Sequence, residues 1–205
     1  MISSLCHPAK ILFLLPALLC CAPTALLANL VKNGDFEAPP VGETSYSFGQ
    51  TPHWFNWVAG PDAQNTVARS DSLQLDDSMY SAMISNQEPE GRVFLQKTEH
   101  LTGEGDTFSL TFHWLEAYRW TPGDTLRMVI FVTHNDTLGG NVVWEDAVDF
   151  RKSSDGLWVQ ESHTFAPVGR EGAGRVLFFK FVGLPVQAPQ AGFARVDNIV
   201  LTKAE

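Results

Sequence analysis

Three carboxylates near the two ends of the chain, Asp35, Glu37 and Asp197, are the residues whose type and placement suggest chemistry. Asp35 and Glu37 interrupt the short apolar run Asn29-Leu-Val-Lys-Asn-Gly-Asp-Phe-Glu37, and Asp197 interrupts Ala194-Arg-Val-Asp-Asn-Ile-Val-Leu-Thr202. A set of oxygen donors without His or Cys suits a hard cation, which would neutralise carboxylates that otherwise repel one another. That holds only if the two segments lie side by side, as the first and last strands of one β-sandwich. If they do not, the same residues are ordinary turn acids that bond backbone amides.

Aromatic residues form a second set. Sugar recognition uses flat rings against C–H faces, with planar polar groups on the hydroxyls. Trp54 and Phe55 follow Thr51-Pro-His53, and Tyr118 and Trp120 precede the Thr121-Pro122 turn. Rings in loops, outside any strand alternation, are candidates for exposed platforms or for caps on the sandwich. As platforms, Trp54 and Trp120 are expected to support glycan retention while their removal leaves the melting temperature nearly unchanged. Trp144, between Val143 and Glu145, fits either exposure or burial.

The elements that must position these residues are strands. In residues 107–117, Phe108, Leu110, Phe112 and Trp114 share one parity, and Ser109, Thr111 and His113 take the other. Residues 126–134 repeat the pattern, with Leu126, Met128, Ile130 and Val132 on one face and Arg127, Val129, Phe131 and Thr133 on the other. With Thr121-Pro-Gly-Asp124 between them, the two segments read as a long antiparallel pair. Its polar face would bring Ser109, Thr111, His113, Arg127, Phe131 and Thr133 onto one outer surface, either a groove floor for an extended glycan or a solvated sheet face. Further strands are predicted over 66–70, 80–84, 92–96, 142–148, 158–165, 175–182 and 193–201. Many short strands separated by Gly, Pro and Asp clusters indicate an all-β antiparallel β-sandwich or jelly roll.

Residues 1–28 have the layout of a secretion signal: Lys10, an apolar run over 11–19, and Ala28 before Asn29. Residues 29–205 then form one β-sandwich domain, expected to be secreted or periplasmic. All three cysteines, Cys6, Cys20 and Cys21, fall inside the signal. Cys20 and Cys21 are poorly placed for a lipid anchor, because Leu19 and Cys20 precede them where small residues are expected. The whole chain carries 14 basic and 23 acidic residues, a net charge of −9. Such a surface disfavours nucleic acid and anionic lipid as partners, and no second apolar stretch is long enough for an integral membrane segment.

Catalysis is disfavoured by the absence of a nucleophile elbow, a zinc helix motif or a phosphate loop. Glu116, Glu145 and Glu161 are the residues that would supply an acid and a nucleophile for glycoside cleavage, if their separation allowed it.

Several motifs in order resemble the carbohydrate-binding modules of families 4, 9 and 22, within the galactose-binding-domain-like jelly rolls. They are Asn33-Gly-Asp-Phe-Glu37, Trp57, Tyr80-Ser-Ala-Met-Ile84, Leu101 through Trp114, the segment 158–165, and Val196-Asp-Asn-Ile-Val-Leu201. The resemblance implies a jelly roll of roughly eight to ten strands, packing roles for Trp57 and Trp158, and a structural calcium ion near the paired termini. Glu37 and Asp197 would be its side-chain ligands, with Asp35 a further one and main-chain carbonyls completing the shell.

The expected function is a secreted, non-catalytic module that binds a polysaccharide or other glycan, with Trp54, Trp120, Tyr118, Trp144, His113 and Arg127 as candidate ligand-binding residues. The alternative is an extracellular structural or protein-interaction sandwich without a sugar ligand.

Overall fold

The computed structural model describes residues 28–38, 46–48, 51–55, 67–69, 75, 78, 80–86, 93–117, 119–151, 156–185 and 192–204. Residues 1–27, which hold the three cysteines and all but the last residue of the expected signal over 1–28, and the residues Trp57 and Tyr118 lie outside them.

Ten strands are present among the described residues: β1 (Tyr46–Phe48), β2 (Val67–Arg69), β3 (Ser81–Ser85), β4 (Phe94–Leu101), β5 (Phe108–Glu116), β6 (Thr125–Thr133), β7 (Val142–Arg151), β8 (Val159–Thr164), β9 (Val176–Leu184) and β10 (Phe193–Lys203). They form a six-stranded sheet in the order β1-β2-β3-β10-β5-β8 and a four-stranded sheet in the order β4-β9-β6-β7. Every strand pairing is antiparallel. The period-2 reading therefore holds for fold class and, within a few residues, for nine strand positions.

The core lies between the sheets. Phe108, Leu110, Phe112 and Trp114 of β5 face Leu126, Met128, Ile130 and Val132 of β6, together with Leu177, Phe179 and Phe181 of β9. Both alternations point inward as predicted, but the two strands are not a hairpin pair. β5 pairs with β10 and β8, and β6 pairs with β9 and β7. The turn at Thr121-Pro-Gly-Asp124 carries the chain from one sheet to the other, which buries two strongly apolar faces against each other instead of extending one sheet. The turn is held by buried Asp124, whose Oδ2 accepts from Asn86 Nδ2 at 2.7 Å and from the Thr121 amide at 2.7 Å.

The two ends of the chain meet. The Leu30 amide donates to the Leu201 carbonyl at 2.8 Å, the Ile199 amide to the Gly34 carbonyl at 2.9 Å, and the Asn29 side chain brackets Ile199 and Leu201. The first segment is a sequence of turns rather than a strand, with Asn33 at φ 50° and Phe36 at φ 55°. The turns drive Phe36 fully into the core and leave Asp35 and Glu37 exposed. Gly34 is required by contact: a Cβ there would lie 2.2 Å from the Ile199 carbonyl oxygen. Gly34→Ala is expected to cost about 1–3 kcal/mol by overpacking, read as a lowered denaturant midpoint. An unchanged midpoint would contradict the close pairing of the termini.

Candidate functional site

Asp197 sits on β10 beside the N-terminal turns and is completely buried. Its Oδ1 accepts from the Asn198 amide at 2.7 Å, and its Oδ2 has no hydrogen-bond partner. Burial pushes its pKa up to about 7. The nearby Ser78 hydroxyl and the Asn198 amide bond oppose the rise, and the charges of Glu37 and Asp35 add to it. Glu37 accepts from Ser78 Oγ and from the Tyr80 amide, both at 2.8 Å. Asp35 Oδ1 lies 3.4 Å from the Glu37 amide nitrogen. The three carboxylates singled out in the sequence thus lie within electrostatic reach of one another. Among the described residues no three His, Cys, Asp or Glu side chains group tightly enough to hold a metal ion by themselves. A buried carboxylate oxygen without a donor nevertheless fits a hard cation shared with Glu37 and main-chain oxygens.

Two proposed sugar platforms are corrected by burial. Trp54 is 2% exposed, stacks on Phe36 at 5.5 Å, and meets Phe94, Phe179 and Phe181 edge-on. Its indole Nε1 donates to the Asn33 carbonyl at 3.0 Å, so the ring plugs the core beneath the N-terminal turns. Trp120 is 7% exposed and packs edge-on against Trp114 at 6.3 Å. Both rings escape strand alternation because they lie in loops, but each loop folds over an end of the sandwich where apolar area remains to be covered. Trp144 is half-buried on β7, packed against the core beside Gly172.

The expected common surface is also corrected. Ser109, Thr111 and His113 of β5 lie on the outer face of the six-stranded sheet, next to Thr164, Ser162 and Gln160 of β8. Arg127 and Phe131 lie on the outer face of the four-stranded sheet, on the other side of the molecule. His113 and Arg127 therefore cannot serve one site.

That second outer face is built in rows across β4, β9, β6 and β7. One row is Lys97, Phe178, Phe131 and Glu145; the next is Leu95, Lys180, Val129 and Ala147. A third sets Val182 beside Arg127 and Asp149. Phe131 and Phe178 stack at 5.1 Å and 20° and are buried, with Lys180 Nζ 5.0 Å from the Phe131 centroid and Lys97 Nζ 5.9 Å from that of Phe178. Arg127 grips Asp149 with two parallel bonds, Nε to Oδ1 at 2.6 Å and Nη2 to Oδ2 at 2.7 Å. Each partner holds the other charged: the Asp149 carboxylate raises the Arg127 pKa, and the Arg127 guanidinium lowers that of Asp149. The result is a planar, half-exposed polar fork beside half-exposed Val182, with the Phe131–Phe178 stack buried. The sequence reading had Arg127 and Phe131 but missed Lys97, Lys180 and Phe178. The one available signal was a lysine set in the otherwise apolar run over 176–182.

The glutamates do not assemble a glycosidase pair. Glu145 is on the four-stranded sheet, whereas Glu116 and Glu161 are on the other. Glu161 lies opposite Phe112, four residues along β5 from Glu116, roughly 14 Å by strand rise. Glycosidase carboxyl groups stand about 5 to 9.5 Å apart.

No family model and no curated protein matches the chain. Among solved structures it is similar to the family 22 carbohydrate-binding module CBM22-1, a xylan-binding domain of Paenibacillus barcinonensis Xyn10C (TM-score 0.53, 12% identity, covering 86% of this chain and 95% of that one). It is also similar to part of the arabinose-bound MgGH51 α-L-arabinofuranosidase (TM-score 0.55, 10% identity, covering 89% of this chain). A third similarity is to part of the enzymatically active domain of tailspike protein 4 from bacteriophage CBA120 (TM-score 0.50, 16% identity, covering 86% of this chain). The chain spans 27% and 21% of the length of these last two. At such identities the likeness is one of fold. The outward-facing Arg127–Asp149 fork and the paired termini thus belong to an antiparallel jelly roll of the carbohydrate-binding-module type, the fold that the ordered motifs of the sequence resemble.

Proposed function

We propose that the protein is a secreted, non-catalytic glycan-binding module that holds a polysaccharide across the outer face of its four-stranded sheet. The observation that carries this reading is the half-exposed Arg127–Asp149 fork standing beside half-exposed Val182 on that face. Planar polar groups that satisfy hydroxyls next to an apolar surface are what a sugar ring requires. The similarity to a domain described as xylan-binding supports the same reading. Among the described residues no helix is long and apolar enough to cross a membrane.

Retention on insoluble xylan, glucan, mannan or chitin, competed by soluble oligosaccharide, tests the reading. Affinity in the micromolar to millimolar range is expected for so open a surface. Arg127→Ala should weaken retention about tenfold. An exposed ion pair contributes roughly 0–1 kcal/mol to stability, so the melting temperature should move little. Absence of retention on every polysaccharide, together with a specific protein partner, would favour the structural or interaction role instead.

The calcium ion belongs to this proposal as a structural element. Asp197 and Glu37 would hold it with main-chain oxygens, and Asp35 would add negative potential. When bound, the ion would supply charge neutralisation at the joined termini.

A further inference from the structure

The register of the four-stranded sheet places one basic residue on each strand, displaced by one row at every step. Lys97 of β4 shares a row with Phe178, and Lys180 of β9 lies in the next. Arg127 of β6 lies opposite Val182 in the third, and Arg151 of β7 lies opposite Thr125 in the fourth. Strands about 4.8 Å apart and rows about 6.7 Å apart make each diagonal step roughly 8 Å, so four cations cross the whole face in about 25 Å. Lys97 and Arg151 are exposed, and Lys180 and Arg127 are half-exposed. Acidic groups on or beside this face are Glu145, Asp149, Glu99 of β4, which is paired with Lys32, and, in the turn after β6, Asp136. Asp149 is gripped by Arg127 and also feels the charge of Arg151. Asp136 Oδ1 is bonded to the Val176 amide, while its carbonyl accepts from Lys97. Among the described residues no carboxylate pairs with Lys180, whose ammonium rests on the Phe131 ring.

The whole chain has only 14 basic residues and a net charge of −9. A diagonal of four of them on the face of the Arg127–Asp149 fork roughly offsets the carboxylates there, so this face lacks the strong acidity of the chain as a whole, and the diagonal follows the path that an extended polymer would take across the strands. We propose that the glycan bound here is acidic: a polysaccharide carrying carboxylate or sulfate groups, laid along the line Lys97, Lys180, Arg127 and Arg151. This deepens the glycan reading and rests on it. The acidic remainder of the surface would repel a polyanion elsewhere and so confine it to the diagonal.

The test is affinity electrophoresis of the full secreted chain through gels containing a polyuronate, a sulfated dextran, neutral xylan or neutral β-glucan, with duplex DNA as a control polyanion. Retardation by the polyuronate or the sulfated glycan is expected, with uronate and sulfate distinguished by which arm is stronger. Binding should weaken clearly between 0.05 M and 0.5 M salt. Lys180→Gln and Lys97→Gln should each reduce affinity about three- to tenfold, Lys180→Arg should retain it, and thermal melts of all three should stay near the parent. Equal binding of neutral glycans, or indifference to the lysine substitutions, overturns the acidic preference and leaves the glycan reading intact. DNA bound as tightly as the polyuronate overturns it as non-specific polyanion attraction. Binding to no polysaccharide at all removes both readings.

Discussion

Trp54→Ala is expected to collapse stability rather than to abolish a sugar contact. The ring is 2% exposed and touches four phenylalanines that come from the N-terminal turns, β4 and β9. Truncating a large buried aromatic costs about 3–5 kcal/mol through lost burial and the cavity left behind. Here it also strands the Asn33 carbonyl that accepts from the indole. For a domain of this size that corresponds to a fall in melting temperature of roughly 6–20 °C. Circular dichroism melts of the parent and the variant decide it. A shift under 3 °C would mean that the ring is not the plug of the core. Glycan affinity of the fraction that remains folded should be unchanged, because the ring has no access to either outer sheet face. Of the two roles that the sequence allows a loop ring, the exposed platform has the opposite sign on both counts, and burial selects the cap.

The second large effect concerns Asp197. A carboxyl raised from an ordinary value to about 7 favours the native state when protonated. Without a cation, its stability contribution is complete below the unfolded pKa near 4 and is lost as pH rises through about 7. The full difference is roughly 4 kcal/mol at about 1.4 kcal/mol per unit. Calcium reverses the slope, because binding requires the ionised carboxylate and competes with the proton. Chelator should therefore lower the melting temperature strongly at pH 8 and little at pH 5. The linked stabilisation is about 2.7 kcal/mol when calcium is a hundredfold above its dissociation constant. Asp197→Asn keeps the shape and removes the charge. It should abolish the chelator response and make the metal-free protein more stable at pH 8 than the metal-free parent. A chelator response that is absent from the parent at pH 8 ends the calcium proposal. A metal-free melt that is flat between pH 5 and 8 ends the account of a buried carboxylate with a raised pKa.

Much of this molecule could be read along the chain because its information is local. The inward parity of Phe108, Leu110, Phe112 and Trp114 is a property of successive residues, and the structure keeps it. The same is true of the strand pattern as a whole, since any half-buried strand must alternate. The approach of Asn29–Glu37 to Ala194–Thr202 was suggested for a different reason: carboxylates interrupt an apolar run in each, and side by side they could share one cation. Partner choice was not legible. β5 and β6 are consecutive, alternate cleanly and are joined by a turn, yet they belong to different sheets. Alternation specifies which face is buried and says nothing about what buries it.

From the amino-acid order alone follow an all-β antiparallel sandwich, nine of the ten strand positions among the described residues, and the inward faces of its central strands. Tertiary structure alone decided that Trp54 and Trp120 are core, that His113 and Arg127 stand on opposite outer faces, and that Lys97, Lys180, Arg127 and Arg151 form one diagonal. Burial of a loop ring depends on which distant residues leave apolar area beneath it. A diagonal across four strands depends on register between segments up to 85 positions apart. Neither quantity exists until the two sheets have closed on each other and a one-residue slip in any pairing would turn every side chain to the other face.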